Sequence, residues 1–247
     1  MKALLLAAGK GTRLRPYTDN HPKCLIPILG APLLEIWLDN LEHHGIDEVL
    51  INTHHHAAQV EQFIDGRRHT TRMKLHTVYE PELLGSAGTL WQNRGFVSGD
   101  SDFVIAYADN LTNLNLGKMI DFHKKIRSMG GILTMGLIKA PDPTACGIVT
   151  LDDRRRVVRF VEKPSQPESD LANGGIYIAA AEIFDEFKRL PVGTGQALDL
   201  GYDLLPQLTG RMYGFRIKDY LADIGSPQSY STALTQWKKL NMLGKTT

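Results

Sequence analysis

The sequence contains few cysteines and no excess of either charge. Its two cysteines among 247 residues, Cys24 and Cys146, lie far apart and outside any Cys-x-x-Cys pattern. This spacing argues against a disulfide framework or a cysteine zinc site, and reduced thiols are typical of the cytoplasm. Lysine and arginine together number 28 and aspartate and glutamate 27, which gives a net charge of +1. Nucleic-acid binding is therefore not predicted, because non-specific binding relies on a concentrated positive field.

The sequence also lacks a long hydrophobic run. A membrane-spanning helix needs about 20 consecutive apolar residues, and no stretch approaches that length. The apolar run at the N-terminus ends at Gly9, and Lys10, Arg13 and Arg15 follow it at once. That run is too short for the apolar core of a signal peptide. We therefore predict a cytoplasmic protein that does not bind membranes.

In the first half of the chain, short apolar segments alternate with segments of helical periodicity. Ala3–Ala8 is continuously apolar and is followed by a glycine, as in a strand buried on both faces. The next strands are predicted at 48–52, 75–79, 103–107 and 131–138, and the helices at 32–44, 57–64, 86–94 and 116–129. This alternation predicts an α/β fold, a Rossmann-like and mostly parallel twisted sheet flanked by helices. In such sheets ligands bind beyond the carboxyl ends of the strands.

After Pro141 the alternation changes. A hairpin is predicted over 147–151 and 157–162, followed by a strand at 175–179, helices near 181–188 and 201–208, a strand and connection over 212–224, and a closing helix at 227–240. No repeat or low-complexity linker separates the two parts. We therefore predict a single domain, 1–247, with one lobe of approximately 1–140 and a smaller lobe of 141–240 as the other wall of a cleft.

A glycine-rich segment, Leu6–Pro16, directly follows the first strand. Glycines permit positive φ and let backbone N–H groups approach an anion closely. Arg13 adds a planar fork of donors suited to phosphate oxygens, and Lys23 could bring a second cation to the loop. A P-loop is excluded because Thr12 and Arg13 follow Gly11, and a dinucleotide fingerprint is disfavoured by Leu14 and Pro16. A phosphate-binding loop of the type Gly-x-Gly-Thr-Arg remains, alongside an ordinary glycine-rich turn.

Further motifs follow in order along nearly the whole chain, about residues 2–240. They are Pro22-Lys23, Glu80-Pro81, Leu84-Gly85-Ser86-Ala87-Gly88-Thr89, Ala108-Asp109-Asn110, Phe160-Val161-Glu162-Lys163-Pro164, Asn173-Gly174-Gly175-Ile176-Tyr177 and Leu221-Ala222-Asp223-Ile224-Gly225-Ser226-Pro227. Together with the glycine loop, this set resembles the sugar-phosphate nucleotidyltransferases, the family that makes GDP-mannose, UDP-glucose and dTDP-glucose. The resemblance implies an enzyme that joins a nucleoside triphosphate to a sugar 1-phosphate and releases pyrophosphate.

The resemblance implies that the first lobe binds the nucleotide. Its contacts would come from Leu6, Ala8, Gly9, Gly11, Thr12, Arg13, Glu80, Gly85 and Ser86. Arg13 and Lys23 would act as catalytic cations on the triphosphate, and Asp109 and Asp223 would share Mg²⁺, which prefers oxygen ligands. For either aspartate alone, a turn or loop cap is the simpler interpretation.

The second lobe would bind the sugar through Gly147, Glu162, Lys163 and Asn173. Carboxylate and amide oxygens suit sugar hydroxyls because they accept hydrogen bonds strongly. Lys163 would also hold the phosphate of the sugar and so counts as a third catalytic cation. A charged pair at the exit of a hairpin is the alternative interpretation of Glu162 and Lys163.

The nucleotide and the sugar are left open by these patterns. A carboxylate at Glu80 could accept two N–H groups from guanine and only one from uracil, which favours GTP and a product such as GDP-mannose. UTP or dTTP is the alternative substrate, and two rival functions are a cytidylyltransferase acting on a non-sugar phosphate and a non-catalytic nucleotide-sugar sensor. The predicted partners are the two small substrates, with a homodimer as a candidate assembly.

Overall fold

A computed structural model describes residues 1–97 and 102–243 of the chain. Its strands are β1 (Lys2–Leu6), β2 (Pro27–Ile28), β3 (Ala31–Pro32), β4 (Glu48–Thr53), β5 (Lys74–Tyr79), β6 (Asp102–Tyr107), β7 (Asn110–Thr112), β8 (Leu133–Lys139), β9 (Gly147–Leu151), β10 (Val157–Glu162), β11 (Leu171–Ala180), β12 (Met212–Arg216) and β13 (Leu221–Asp223). Its α-helices are α1 (Leu33–His43), α2 (Ala57–Arg68), α3 (Ser86–Gln92), α4 (Leu116–Arg127) and α5 (Pro227–Leu243). Short 3-10 segments include Thr12–Leu14, Lys23–Leu25 and Ala181–Arg189. Within the described ranges, no helix is both long and apolar enough to cross a membrane.

A mixed sheet organises the molecule. Four neighbouring strands, in the order β6-β1-β4-β5, run parallel to one another, and β12 runs parallel to β8. The long strand β11 lies antiparallel between β6 and β8, and the hairpin of β9 and β10 extends the sheet beyond it. This confirms the predicted α/β class with a central, mostly parallel sheet flanked by helices. Because β11 pairs with β6, the sheet is continuous between the two halves of the chain.

The core fills both faces of this sheet. Successive side chains of β1 point to opposite faces, so Leu4 and Leu6 join one cluster of buried residues while Ala3 and Leu5 join the other. Burying a leucine side chain contributes about 1.5–3 kcal/mol. The continuously apolar pattern that predicted a strand buried on both faces is therefore confirmed.

A third apolar cluster lies under the segments that carry the predicted phosphate and metal residues. It contains Leu14, Ile26, Ile28, Leu33, Leu111, Ile224, Tyr230, Ala233 and Trp237. These residues come from the glycine loop, the segment after Lys23, the start of α1, β7, the residue after β13, and α5. The indole of Trp37 on α1 adds a hydrogen bond to the carbonyl of Asn110, at 2.7 Å. Packing therefore fixes Asp109 and Asp223, which are distant in sequence, on neighbouring segments.

Two predicted elements differ from the structure for identifiable reasons. The helix predicted at 201–208 is divided into a π-helical turn, Leu200–Leu204, and a 3-10 turn, Leu205–Leu208. Pro206 lacks an N–H group and cannot continue a regular α-helix through this point. The strand predicted at 175–179 is longer, because β11 begins at Leu171 and continues through an irregularity in its pairing with β8 between Asn173 and Tyr177.

Candidate active site

A cavity of about 280 Å³ opens at the carboxyl ends of the parallel strands. Its lining consists of Leu6, Ala7, Ala8, Gly9, Lys23, Cys24, Asn52, Glu80, Leu83, Gly85, Ser86, Thr89, Tyr107, Asp109 and Asp199. Leu6 ends β1, Tyr107 ends β6, and Glu80 directly follows β5. The cavity therefore lies where an open α/β sheet places its ligands.

The glycine loop wraps over Lys23. Gly11 adopts the left-handed conformation, with φ of 64°, and a Cβ atom there would lie 2.8 Å from Cγ2 of Thr18 and 3.3 Å from Cβ of Lys23. The hydroxyl of Thr18 closes the loop by donating to the carbonyl of Gly11 at 2.7 Å. Glycine at this position is thus required by backbone conformation and by close packing.

The predicted loop residues separate into two groups. Leu6, Ala8 and Gly9 line the cavity. Gly11, Thr12 and Arg13 lie outside its lining, and the side chains of Thr12 and Arg13 are exposed on the short turn Thr12–Leu14. A ligand that extends from the cavity toward solvent would pass this turn.

Lys23 joins the two predicted metal ligands. Its side chain is buried, with 7% of the residue exposed, and its ammonium donates to Oδ2 of Asp109 at 2.6 Å and to Oδ1 of Asp223 at 3.3 Å. The antiparallel pair of β7 and β13 aligns Asn110 with Asp223, and the N–H of Ile224 donates to the carbonyl of Asp109 at 3.1 Å. The structure therefore brings together one cation and two carboxylates whose positions in the chain are far apart.

Burial and neighbouring charges shift the pKa of Asp223. Desolvation raises the pKa of Asp223, Lys23 lowers it, and the nearby carboxylate of Asp109 raises it again, so the pKa lies above its ordinary value. Arg13 is close enough to lower the same pKa. A second positive charge between these carboxylates would relieve their repulsion.

This donor set fits Mg²⁺. The ion usually takes one or two carboxylates from the protein and completes its shell with phosphate oxygens and water. Across residues 1–97 and 102–243, no group of three or more His, Cys, Asp or Glu side chains could hold a metal. Asp109 and Asp223 thus suit an ion that arrives with a phosphorylated ligand.

Glu80 lies at the centre of a buried hydrogen-bond network. Only 3% of the residue is exposed. Its Oε1 accepts from Asn52 at 2.9 Å and from Thr89 at 2.5 Å, and its Oε2 accepts from the N–H of Leu84 at 3.3 Å. A carboxylate offers about four acceptor positions, so about one remains for a ligand. The sequence prediction that Glu80 accepts two N–H groups of guanine needs two free acceptor positions, and these internal hydrogen bonds leave about one.

Gly85 and Ser86 are held by a distant segment of the chain. A Cβ atom on Gly85 would lie 2.3 Å from the carbonyl oxygen of Leu198. The hydroxyl of Ser86 donates to Oδ2 of Asp199 at 2.9 Å and accepts from the N–H of Leu200 at 2.8 Å. Both residues line the cavity. The missing side chain of Gly85 and the hydroxyl of Ser86 allow this close packing against Leu198 and Asp199.

Glu162 and its neighbours form the other side of the site. Gly147 pairs with Glu162 between β9 and β10, and a Cβ atom on Gly147 would lie 2.5 Å from Oε2 of Glu162. Among the described residues, none donates a hydrogen bond to this carboxylate. Desolvation and Asp199 raise the pKa of Glu162 while Lys163 lowers it, and the net direction is upward. The carboxylate is thus available to accept hydrogen bonds from a ligand.

Lys163 has an unusual backbone conformation, and its ammonium group lies beside an aromatic ring. Its φ is 45°, in the left-handed region that a residue before proline seldom adopts. Its N–H donates to the carbonyl of Cys146 at 3.0 Å, and its Nζ lies 5.6 Å from the centroid of the Tyr202 ring. Lys163 pairs with no carboxylate in the described parts of the chain. Strain of this kind is concentrated at functional sites.

Hydrogen bonds within the protein occupy part of the donor and acceptor capacity of the Asn173 side chain. Its Nδ2 donates to the hydroxyl of Tyr177 at 2.6 Å, and its Oδ1 accepts from the N–H of Gly175 at 3.0 Å. One N–H and one acceptor position remain. Gly175 has φ of 70° inside β11, and this bend accompanies the irregular pairing that begins at Asn173.

Several residues of the cavity lining, among them Asn52, Tyr107 and Asp199, were not among the predicted site residues. Asn52 accepts from the N–H of Ala7 at 2.6 Å and so ties β4 to the glycine loop. Tyr107 lies at the cavity wall, and Asp199 lies between the two sides of the site. A polar residue in the otherwise apolar segment Val49–Asn52 was a visible signal for the first. The environment of Asp199 depends on a contact across more than a hundred residues, which no local pattern shows.

Comparison with known proteins identifies the family of this chain. Residues 2–239 match the profile of a protein family described as nucleotidyl transferase. The chain belongs to the nucleotidyl transferase family. The sequence resemblance to sugar-phosphate nucleotidyltransferases is therefore confirmed.

Relatives within the family carry different substrate names. The chain is 35% identical to a UTP–glucose-1-phosphate uridylyltransferase of Synechocystis, over 95% of this chain and 62% of the relative. It is 31% identical to a mannose-1-phosphate guanylyltransferase of Mycobacterium tuberculosis, over 92% of this chain and 62% of the relative. The chain thus spans less than two thirds of the length of these curated relatives.

Solved structures share the fold. A Bacillus anthracis protein, proposed in its description to be a glucose-1-phosphate thymidylyltransferase, has a TM-score of 0.85 with this chain at 23% identity. The match covers 96% of this chain and 94% of that protein. Similarity at this level of identity establishes a common fold.

Proposed function

We propose that this protein transfers a nucleotidyl group from a nucleoside triphosphate to a sugar 1-phosphate. The observation that carries the proposal is Lys23, held between Asp109 and Asp223 at the wall of a cavity covered by the glycine loop. Family membership restricts the chemistry to nucleotidyl transfer. Among the described residues, none donates a hydrogen bond to the carboxylate of Glu162 and no carboxylate pairs with the ammonium of Lys163, which supports a phosphorylated sugar as the acceptor.

In this reaction a phosphate oxygen of the sugar 1-phosphate attacks the α-phosphorus of the triphosphate in line. A new P–O bond forms, the bond from the α-phosphorus to the bridging oxygen breaks, and pyrophosphate leaves with the electron pair. No proton has to be removed from the nucleophile, because it is already an anion. The protein's contribution is therefore positioning and charge stabilisation.

Each cation has its own part in this scheme. Lys23 stabilises the charge that develops on the α-phosphate, and Arg13, on the exposed turn, holds the β- and γ-phosphates. Lys163 holds the phosphate of the sugar while Glu162, Gly147 and Asn173 form the sugar pocket. Asp109 and Asp223 would hold Mg²⁺, which supplies Lewis-acid polarisation and charge neutralisation when bound.

GTP with mannose 1-phosphate is the first substrate pair that we propose. The segment Leu84–Gly88 resembles the guanylyltransferase branch, and a relative with 31% identity is named for that activity. UTP with glucose 1-phosphate is the second candidate. It is favoured by the single free acceptor position of Glu80, since uracil presents one N–H donor, and by the name of the relative with 35% identity.

The same proposal assigns the nucleotide to 1–140 and the sugar to 141–240 of one domain. A matrix of four nucleoside triphosphates against mannose, glucose and heptose 1-phosphates, with pyrophosphate release as the readout, tests it. We expect one triphosphate and one sugar 1-phosphate to give Mg²⁺-dependent turnover well above all others. Absence of pyrophosphate release with every pair, at full nucleotide binding, would instead identify a nucleotide-sugar sensor. Turnover with phosphocholine alone would identify a cytidylyltransferase acting on a non-sugar phosphate.

A further inference from the structure

The segment 198–202 lies between the nucleotide side and the sugar side of the site. On the nucleotide side, the carbonyl of Leu198 accepts from the N–H groups of Ala87 and Gly88 at 2.9 and 3.1 Å. The N–H of Leu198 donates to the carbonyl of Leu84 at 2.8 Å. The segment is therefore attached to the loop 84–88 by the backbone alone at three points.

Asp199 adds a side-chain attachment to the same loop. Its Oδ2 accepts the hydroxyl hydrogen of Ser86 at 2.9 Å, and the same hydroxyl accepts from the N–H of Leu200 at 2.8 Å. The hydroxyl of Ser86 donates its hydrogen to Asp199 and cannot donate it to a nucleotide at the same time. Its effect on nucleotide binding is therefore to hold the loop in place. Asp199 itself forms part of the cavity wall.

The other oxygen of Asp199, Oδ1, binds the backbone next to the proposed sugar side. It accepts from the N–H groups of Gly201 and Tyr202 at 2.7 and 3.2 Å. A Cβ atom on Gly201 would lie 2.5 Å from Oε2 of Glu162, so this backbone forms the surface on which the Glu162 carboxylate rests. The Tyr202 ring lies beside the ammonium of Lys163.

We propose that Asp199 is a positioning residue that sets the nucleotide loop and the sugar carboxylate at a fixed separation. One oxygen holds Ser86, the other holds the backbone at Gly201 and Tyr202, and the short carboxylate links the two. In-line transfer needs the two substrates at reacting distance, and a displacement of about 1 Å can cost about 10²-fold in rate. The proposal rests on the proposed function and adds a residue that acts through others.

Three alanine variants test the link of Asp199 to Ser86 separately from its link to the backbone at Gly201 and Tyr202. Ser86→Ala removes the link to the nucleotide loop, and we expect a raised KM for the triphosphate alone. Gly201→Ala adds a methyl group against Glu162, and we expect a raised KM for the sugar 1-phosphate alone. Asp199→Ala removes both links, and we expect both KM values to rise at least about tenfold with a further fall in kcat.

A matched control separates positioning from helix capping. Asp203 accepts from the N–H of Asp199 at 2.6 Å and so stabilises the same turn through a hydrogen bond that involves neither Ser86 nor Gly201. Asp203→Ala is expected to lower Tm while leaving both KM values unchanged. Asp199→Asn keeps the Oδ1 acceptor and can donate to the Ser86 oxygen, so it should restore both KM values to within about threefold of the wild type.

The outcomes are distinct. A wild-type protein that releases no pyrophosphate with any substrate pair would remove the proposed function. An active wild type in which Asp199→Ala lowers Tm as Asp203→Ala does, with both KM values unchanged, would overturn the positioning role alone. Failure of Asp199→Asn to restore either KM would also overturn it, because the effect would then follow from the charge of Asp199.

Discussion

Two carboxylates beside the same site, Glu80 and Glu162, differ in how many hydrogen bonds they accept from the protein. Glu80 is buried, and three of its acceptor positions are filled by the protein. Glu162 receives no hydrogen bond from the described residues and keeps a raised pKa. The proposed nucleotide side is thus organised by internal hydrogen bonds, whereas the proposed sugar side leaves the Glu162 carboxylate able to accept hydrogen bonds from a ligand. Between them, Lys23 joins Asp109 and Asp223, the carboxylates that we propose bind Mg²⁺.

The largest effect is expected where the two sides meet. Lys23→Ala should lower kcat by about 10²–10³-fold, because it removes a charge that stabilises the transition state. Steady-state pyrophosphate release measures this. Lys74→Ala is a matched control, since it also removes an ammonium paired with a carboxylate, Glu48 at 3.3 Å, but away from the cavity. Equal kcat values for the two variants would remove Lys23 from its role.

A selective effect is expected from Lys163, the cation of the proposed sugar side. Lys163→Ala should raise the KM for the sugar 1-phosphate by about 10- to 100-fold, as expected for loss of one charge-assisted contact worth about 1.5–3 kcal/mol. The KM for the triphosphate should stay the same. Lys188→Ala, on the exposed segment Ala181–Arg189, serves as the control. A rise in the triphosphate KM of the same size would contradict the division into two sides.

Metal dependence tests the carboxylates between the two sides. Asp223→Asn should raise the Mg²⁺ concentration for half-maximal turnover at least about tenfold, because ligand charge governs affinity for hard cations. Asp219→Asn is the matched variant, since Asp219 lies in the same connection and accepts from the N–H of Asn115 at 3.1 Å, away from Lys23. An unchanged metal titration for Asp223→Asn would exclude ligation by that residue.

The internal network of the nucleotide side predicts a loss of stability. Glu80→Ala leaves the amide of Asn52, the hydroxyl of Thr89 and the N–H of Leu84 without their acceptor. A buried polar group that loses its partner costs about 1–3 kcal/mol, so the free energy of unfolding should fall by at least that amount. Urea denaturation measures it, with the exposed neighbour Glu82→Ala as the control. A loss no larger than that of the control would show that the network contributes little.

Much of this arrangement could be predicted from local patterns. The strands β9 and β10 begin and end at the predicted residues, and the glycine loop follows β1 as expected. Ligands bind beyond the carboxyl ends of the strands in an open α/β sheet, and this rule predicted Asp109 as a site residue. The family motifs predicted Asp223. Contacts between distant segments could not be derived in this way. The attachment of Ser86 to Asp199 and the occupied oxygens of Glu80 depend on packing that only the folded chain defines.

The smallest effect concerns the pH dependence of stability on the sugar side. The pKa of Glu162 is raised in the folded protein above its ordinary value of 4.5, so the folded state binds its proton more tightly than the unfolded state. The resulting stabilisation is complete below the unfolded pKa and is lost as pH rises through the folded pKa. Glu162→Gln removes this loss, so the variant should be more stable than the wild type at pH 7. Below pH 4 the difference should disappear, which denaturation at the two pH values measures. A variant that is less stable at pH 7 would show that the Glu162 carboxylate has partners in the free protein, and the contrast with Glu80 would then fail.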